Sequence, residues 1–319
     1  MPRKIILDCD PGHDDAITIM LAAGSPEVEI MAITTVAGNH SINATTRNAM
    51  VVADLSGLVA VPVAAGAARP LIRPPRWAEH IHGSTGMDGP PPRVTFRTPD
   101  KRHAVDLITE IVMDHPVGEI TLVPTGPLTN VALAARIHPE IVPRVGEVVF
   151  MGGAYADGNI TPVAEFNVYT DPEAAHIVLS EDWPVTMIGL DLTHQAVATG
   201  AVRKRIADIG TEAAQFVSDL LDFVGKSYAT SIERKTDPPV HDPCAVMRVI
   251  APEIVEVVPA NVEVELQGSR TIGLTVTDFL GRDDAALRTN VATRLNARAF
   301  WDRVIRALAR LPRSTTVGV

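Results

Sequence analysis

The chain alternates short apolar runs with amphipathic segments of helical period through its first two-thirds. The apolar runs predict strands at residues 4–9, 28–36, 61–64, 120–124, 147–151 and 185–190. The amphipathic segments between them predict helices at residues 14–23, 43–56, 104–113, 128–137 and 172–179. Such alternation predicts an α/β fold with a mostly parallel central sheet flanked by helices, a Rossmann-like arrangement. Ligands in such sheets bind at the carboxyl ends of the strands, where we expect the active site of any enzyme built this way.

The last third of the chain follows a different pattern. It predicts a helix at residues 201–224, an antiparallel hairpin formed by residues 254–266 and 271–277, and a closing helix at residues 292–311. Earlier in the chain, residues 69–100 are rich in Pro and Gly and too long for an ordinary connection, which is typical of an irregular insertion or an active-site flap. No repeat or linker interrupts the pattern, so we expect a single domain over residues 1–319.

Composition and charge narrow the function. Hydrophobic residues make up 46% of the 319, which is ample for a core, and the formal net charge is −10 with no basic block. This charge argues against a nucleic-acid backbone or an anionic membrane as the main partner and favours a small-molecule ligand. No signal-peptide pattern or transmembrane run is visible, and the 2 cysteines are too few for a disulfide framework. We therefore expect a cytoplasmic enzyme.

The stretch LDCDPGHDDA, residues 7–16, crowds four aspartates next to the first predicted strand. Asp14 and Asp15 suit the first turn of a helix, where the helix dipole favours negative charge. That explanation does not extend to Asp8 and Asp10, because carboxylates are disfavoured at the end of a strand unless a site requires them. A metal or catalytic cluster therefore accounts for the stretch better than a solvated helix cap does.

Further polar groups follow other predicted strands. Asn39 in TTVAGNH should lie at the same sheet edge as Asp10, and Thr125 in LVPTGPLTN offers a backbone carbonyl that can bind a hard cation. The loop MGGAYADGNITPVAEFN carries amides and a carboxylate that suit hydrogen bonding to a polyol, namely Asn159, Glu165 and Asn167. The stretch VHDPCA sets a titratable His241 beside Asp242, just before a helix.

These stretches together resemble the inosine-uridine preferring nucleoside hydrolase family. DCDPGHDDA is similar to the aspartate fingerprint of that family, and TTVAGN, PTGPLTN, GNITPVAEFN and HDPCA are similar to further family blocks in the same order. The resemblance covers residues 8–245. It implies a nucleoside hydrolase fold and the Ca²⁺-dependent hydrolysis of ribonucleosides, such as inosine and uridine, to ribose and free base. It also implies a homodimer or homotetramer.

The resemblance assigns a role to each polar group. It implies a Ca²⁺ held by Asp10, Asp15, the carbonyl of Thr125 and Asp242, together with the ribose 2′- and 3′-hydroxyls. Asp14 would activate the attacking water, and His241 would protonate the leaving base. The residues that would contact the substrate are Asn39, His82, Met151, Asn159, Glu165, Phe166, Asn167 and Tyr228. Tyr228 lies on the helix expected to set base selectivity, residues 223–234, where a one-residue change of loop length would place Ala229 instead.

The chemistry of these residue types fits that assignment. Breaking a ribose N-glycosidic bond builds positive charge on the sugar, and an acidic pocket stabilises such a cation. Two other functions remain open at this point. An Asp-x-Asp after a first strand also fits a haloacid-dehalogenase-like phosphatase, although that chemistry needs a lysine for the phosphoryl group. A non-catalytic Ca²⁺-dependent nucleoside-binding protein would keep the carboxylates without needing Asp14 or His241.

Overall fold

The first strand shows why the sequence adopts this fold. In the computed structural model, which describes residues 1–230, 237–282 and 286–313, β1 spans Arg3–Cys9 and is buried from Ile5 onward. Ile5 and Leu7 pack on one face of the sheet and Ile6 on the other. Because both faces are covered, the strand is a continuous apolar run, as parallel strands between two helical layers require.

Strands and helices alternate along the chain as the periodicity predicts. After β1, the strands are β2 Val28–Thr35, β3 Val63–Ala65, β4 Ile120–Pro124, β5 Glu147–Met151, β6 Val185–Ile188, β7 Val255–Val264, β8 Thr275–Asp278 and β9 Thr289–Leu295. The helices up to β6 are α1 His13–Ala23, α2 Ile42–Leu55, α3 Glu79–His82, α4 Ala104–Asp114, α5 Thr129–Ile137, α6 Phe166–Thr170 and α7 Pro172–Ser180. The remaining helices are α8 Leu190–Thr193, α9 Gly200–Ala207, α10 Glu212–Thr230, α11 Pro243–Ile250 and α12 Ala297–Arg310.

The strands form one mixed sheet of 9 strands in the order β3-β2-β1-β4-β5-β6-β9-β7-β8. Strands β1 to β6 pair in parallel, β9 joins β6 in parallel, and β7 is antiparallel to both β9 and β8. The chain builds outward from β1 to β3 and then returns to place β4 on the other side of β1. The carboxyl ends of β1 and β4 therefore flank a topological switch point, where such sheets bind ligands. The predicted fold class is confirmed.

Two regions of the last third differ from the sequence prediction. The helix predicted at residues 201–224 is two helices, α9 and α10, because Gly210 takes a positive φ of 68° and ends the first, while the Thr211 hydroxyl accepts from the Ala214 N–H at the start of the second. The closing helix predicted at residues 292–311 begins only at Ala297, since Thr289–Leu295 forms β9 against β6. The predicted antiparallel hairpin is present as β7 and β8.

The Pro- and Gly-rich segment 69–100 is irregular, as predicted. It contains the short helix α3 and a single bridge from Asp100 to Ala64 beside β3. The loop after α3 is held down by hydrogen bonds from Arg47 and Asn48 of α2 to the carbonyl of Thr85. The segment therefore lies against the carboxyl end of the sheet. No helix in the described ranges has the length and hydropathy needed to cross a bilayer.

Candidate active site

The acidic cluster begins with Asp10, the residue that follows β1. Its side chain is fully buried, and one carboxylate oxygen accepts the backbone N–H of Asn39 at 2.5 Å. A Cβ atom on Gly126 would lie 2.7 Å from the other oxygen of Asp10, and one on Gly38 would overlap its Oδ2. The loops after β2 and β4 thus approach Asp10 so closely that both positions need glycine.

Asp15 meets the same site from the first turn of α1. Its Oδ1 accepts the Thr125 hydroxyl at 2.6 Å, which joins α1 to the end of β4. The carbonyl of Thr125 accepts the Asn167 side-chain amide at 2.8 Å and keeps a second lone pair. The carboxylates of Asp10 and Asp15 lie within hydrogen-bonding reach of each other. Two acids and one carbonyl from separate parts of the chain therefore converge.

Asp14 is less buried than its acidic neighbours and faces the start of α11. One of its oxygens accepts the backbone N–H of His241 at 3.3 Å, and its carboxylate is also within reach of Asp242. Burial opposes ionisation of Asp14, but the nearby His241 ring holds its pKa below the usual range. The ionised form of Asp14, which is the form able to accept a proton, is favoured.

Several carboxylate oxygens in this cluster lack a hydrogen-bond donor. Within the described ranges, the buried oxygens with no partner include Asp8 Oδ2, Asp10 Oδ1 and Asp15 Oδ2. Burial raises the pKa of Asp8 to about 6 and that of Asp15 to about 7, and it raises the pKa of Asp10 and Asp242 well above the usual range. Buried acids of this kind need either protons or a cation.

The donor set suits a hard cation. Carboxylate and carbonyl oxygens are the ligands that Ca²⁺ prefers, and it takes about six to eight of them. Among the residues that the structure describes, the His, Cys, Asp and Glu side chains alone do not form a group of three arranged to hold a metal ion. A cation at this position is therefore supported by the unpartnered oxygens of Asp10 and Asp15 together with the Thr125 carbonyl.

Residues predicted to hold a sugar lie around this cluster. Asn39 donates its side-chain amide to the backbone carbonyl of Asp10 at 3.3 Å. Asn167 is buried, and its side-chain nitrogen lies 3.2 Å from the Met151 carbonyl oxygen and 3.5 Å from the Met151 sulfur. Glu165 is buried at the start of α6 and accepts the backbone N–H groups of Gly153, Asn167 and Val168. These four predicted residues lie around the acidic cluster, near the ends of β2 and β5 and the start of α6.

Two of the predicted sugar contacts are not placed in the buried cluster. Asn159 is exposed, and its side-chain oxygen accepts the backbone N–H of Phe166 at 2.9 Å, so it shapes the loop between β5 and α6. The Phe166 side chain is half-buried at the beginning of that helix. Phe166 directly follows Glu165 in the chain, and Asn159 precedes it in the same loop. Their contact with a ligand stays a prediction.

The predicted base pocket is formed by imidazoles and one phenol. His241 Nδ1 lies 2.8 Å from the buried Thr193 hydroxyl, and His241 Nε2 lies 3.4 Å from the Tyr228 hydroxyl. Burial lowers the pKa of His82 to about 3, and that ring also interacts electrostatically with Asp14 and His241. Of the two positions considered on this helix, Tyr228 rather than Ala229 lies beside His241. Of the helix predicted to set base selectivity, residues 231–234 lie outside the described residues.

Sequence reasoning left three residues of this region without a role. Asp8 accepts the hydroxyl of Thr34 at 2.7 Å and the amide of Asn130 at 2.8 Å. Asn130 also donates to the carbonyl of Thr35 and accepts the N–H of Ala67, so it ties the ends of β1, β2 and β3 together. The third residue, His13, is buried beside His82. Asp8 and His13 could have been suspected, since both stand inside the aspartate-rich stretch.

The sheet and its acidic pocket define an α/β enzyme that binds a small polar ligand at its switch point. Comparison with known proteins gives the family. The model of the inosine-uridine preferring nucleoside hydrolases matches residues 5–302, and the chain belongs to this family. It is therefore an N-glycosyl hydrolase that converts ribonucleosides to ribose and free base.

The match extends over nearly the whole chain. An inosine-uridine preferring nucleoside hydrolase of Leishmania major is 55% identical over 312 residues, covering 98% of this chain and 99% of the relative. Another from Crithidia fasciculata is 50% identical over the same shares. A solved plant nucleoside hydrolase superposes with a TM-score of 0.92 at 28% identity, covering 97% of this chain and 99% of its own. These likenesses support the nucleoside hydrolase hypothesis over the phosphatase one.

Proposed function

We propose that the chain hydrolyses ribonucleosides such as inosine and uridine in a Ca²⁺-dependent reaction at the site built by Asp10, Asp14, Asp15 and Asp242. The observation that carries this proposal is the convergence of buried, unpartnered carboxylate oxygens beside Asp14 at the switch point of the sheet. The homology of the whole chain to inosine-uridine preferring hydrolases supports the substrate class.

The cation would be held by Asp10, Asp15, Asp242 and the Thr125 carbonyl. When bound, Ca²⁺ would offset the repulsion between these carboxylates, orient the ribose 2′- and 3′-hydroxyls and make a nearby water more acidic. Asn39, Glu165 and Asn167, with Met151 beside them, surround the position of the sugar in this proposal. We propose in addition contacts from Asn159 and Phe166 at the rim of the site.

The reaction breaks the bond between C1′ and the base nitrogen and forms a bond between C1′ and a water oxygen. Asp14 accepts one proton of that water, which general-base catalysis requires. The surrounding carboxylates stabilise the positive charge that develops on the sugar ring. His241, placed between Thr193 and Tyr228, donates a proton to the departing base, with His82 nearby. The products are ribose and the neutral base.

A substrate panel tests the proposed function directly. Purified protein with bound Ca²⁺ is incubated with inosine, uridine, their 2′-deoxy counterparts and an aryl phosphate, while released ribose, 2-deoxyribose and phosphate are measured. We expect ribose from inosine, uridine or both, and turnover of the deoxynucleosides lower by several powers of ten, since they lack a hydroxyl that the site is built to bind. Equal turnover of uridine and 2′-deoxyuridine would refute the proposed ribose site.

Metal analysis of the same preparation tests the cofactor. We expect about one Ca²⁺ per chain, because the converging carboxylates would otherwise repel one another. Phosphate release from the aryl phosphate with Mg²⁺ alone would favour the phosphatase hypothesis, and tight nucleoside binding without ribose release would favour the non-catalytic one. We further propose, on the resemblance alone, that the enzyme is cytoplasmic and forms a homodimer or homotetramer.

A further inference from the structure

His13, the first residue of α1, is a buried imidazole that the proposed reaction does not use. Its ring is nearly parallel to two others: the Phe223 centroid lies 5.2 Å away at an interplanar angle of 7°, and the His82 centroid lies 5.1 Å away at 24°. The ring is only 3% exposed. A polar ring at the start of α1, beside Asp14 and Asp15, needs hydrogen-bond partners that explain its burial.

Both ring nitrogens of His13 have such a partner. Nε2 lies 2.7 Å from the backbone carbonyl oxygen of Asp88, and since a carbonyl can only accept, Nε2 carries the hydrogen. Nδ1 lies 2.9 Å from His82 Nδ1, and in the neutral His13 ring it accepts the hydrogen that His82 Nδ1 carries. His13 thus joins the start of α1 to both ends of the loop that runs from His82 to Asp88.

The position of His82 depends on these contacts. The backbone nitrogen of His13 also lies 3.3 Å from His82 Nδ1, so the His82 ring packs against the His13 backbone as well as against the His13 ring. A Cβ atom on Gly12 would lie 2.6 Å from the same nitrogen, which means that the ring packs directly on the backbone before α1. With Nδ1 engaged by His13, Nε2 is the nitrogen through which His82 can meet a ligand.

We infer that His13 is a positioning residue for the substrate pocket: it fixes the His82 ring beside Asp14, with Nε2 available to the nucleoside. The inference rests on the proposed function for its catalytic consequence, because His82 matters to turnover only if the nucleoside binds there. The position of the His82 ring itself depends on the ring contact between His13 and Phe223, the two hydrogen bonds of the His13 side chain and the contact with Gly12. No change of protonation is needed for it.

A double-mutant cycle separates positioning from a general structural role. His13→Phe keeps a ring on Phe223 but removes both nitrogens. We expect it to lower kcat/KM for the preferred ribonucleoside by roughly five- to thirtyfold, the size of one or two lost hydrogen bonds. In a His82→Ala background the same substitution should change kcat/KM by less than about twofold, because the group that it positions is gone. Effects that multiply in the double variant would overturn the inference.

A spectroscopic measurement decides the point without turnover. In protein with ¹⁵N-labelled histidine, we expect the His82 ring signals to shift in His13→Phe and to be unchanged in the matched control His40→Phe. His40 also holds this loop, through its Nε2 at 3.1 Å from the Ser84 carbonyl, and it stacks on Trp77 rather than on His82. Unchanged His82 signals in His13→Phe would overturn the inference.

A second variant covers the case in which His13→Phe does not fold. His13→Gln keeps an amide that can bond to one of the two partners, and we expect its kcat/KM to lie between those of the wild type and His82→Ala. A His13→Gln chain that is folded by circular dichroism and has wild-type activity and His82 signals would contradict the inference. A wild-type chain that releases no ribose would instead refute the proposed function, while the His82 signals would still test the positioning.

Discussion

Asp10 and Asp14 are near neighbours in the sequence, yet their surroundings give them different chemistry. Asp10 is fully buried, wrapped by Gly38 and Gly126, and one of its oxygens has no donor. Asp14 is partly exposed, and the nearby His241 favours the ionised form of its carboxyl group. A carboxylate with an unpartnered oxygen suits a cation, whereas an ionised carboxylate at the edge of the pocket suits a water molecule.

Substitution at these two positions should therefore separate the two roles. Asp14→Asn keeps the shape of the side chain but cannot accept the proton, so we expect kcat to fall by roughly 10² to 10⁴ with metal content and nucleoside affinity retained. Asp10→Asn should lose Ca²⁺ and nucleoside binding together. Metal analysis and equilibrium dialysis of both variants, with single-turnover rates for Asp14→Asn, make the comparison. Loss of binding in Asp14→Asn with an unchanged rate of bound substrate would make Asp14 a ligand.

A matched control comes from the surface. Asp208, which follows α9, pairs with Lys204 at 2.8 Å, and both side chains are mostly exposed. Asp208→Asn removes the same charge without entering the pocket, so metal content and turnover should match those of the wild type. A loss of turnover in this control would mean that charge in general, rather than the Asp14 carboxylate, sets the rate.

At the scale of elements, the site is made by strand ends and helix starts. Asp10 follows β1, Thr125 follows β4, and Asp14 and Asp15 occupy the first turn of α1, where the helix dipole favours negative charge. Glu165 caps α6 by accepting two of its N–H groups. These side chains of the proposed site are thus attached to the ends of strands and helices.

Much of this arrangement could be predicted from the sequence. The carboxyl ends of parallel strands meet at one edge, so polar residues after apolar runs, such as Asp10 and Thr125, had to lie near one another. Other contacts could not be predicted. Hydrogen bonds such as that from His13 to His82 depend on how an irregular segment folds back, which no periodicity encodes. The strand β9 was missed because its sequence, TNVATRL, runs directly into a segment with a helical pattern. Only the pairing with β6 makes these residues a strand.

The cap of α6 gives a pH prediction. Burial raises the pKa of Glu165 to about 7, against 4.5 for an ordinary glutamate, in spite of three backbone donors. The folded chain thus holds a proton that the unfolded chain releases near pH 4.5. The stabilisation of the folded chain by this proton is complete below pH 4.5 and is lost as the pH rises through 7. Relative to Glu165→Gln, the wild type should lose roughly 2 kcal/mol of unfolding free energy between pH 5 and pH 8, measured by urea denaturation.

The control for this prediction is an exposed glutamate. Glu119 pairs with Lys4 at 2.8 Å and is partly exposed at the opposite end of the sheet, so Glu119→Gln should give a pH dependence parallel to that of the wild type. If the unfolding free energy of Glu165→Gln also changed with pH in parallel with that of the wild type, the three backbone hydrogen bonds would be keeping the Glu165 carboxylate ionised. Burial would then be the weaker effect.

At the scale of the whole molecule, the acidic site opposes folding unless something neutralises it. Asp8, Asp10, Asp15 and Asp242 are all buried at the carboxyl edge of the sheet, and the pKa of each is raised by burial. The aspartates come from distant parts of the chain, since Asp8, Asp10 and Asp15 lie in or between β1 and α1 while Asp242 precedes α11. A ligand that binds among them therefore connects distant parts of the sequence in the folded state.

Such a ligand should stabilise the fold by mass action. We expect Ca²⁺ at about 100 times its Kd to raise the unfolding free energy of the chelator-treated protein by about 2.7 kcal/mol, since the unfolded chain has no converging carboxylates to bind it. Thermal unfolding followed by circular dichroism at pH 7, with and without Ca²⁺, measures this as a rise in Tm of several degrees. The rise should persist in Asp208→Asn and vanish in Asp10→Asn. An equal rise in Asp10→Asn would place the stabilising ion elsewhere on the molecule and remove the main support for a cation at the strand ends.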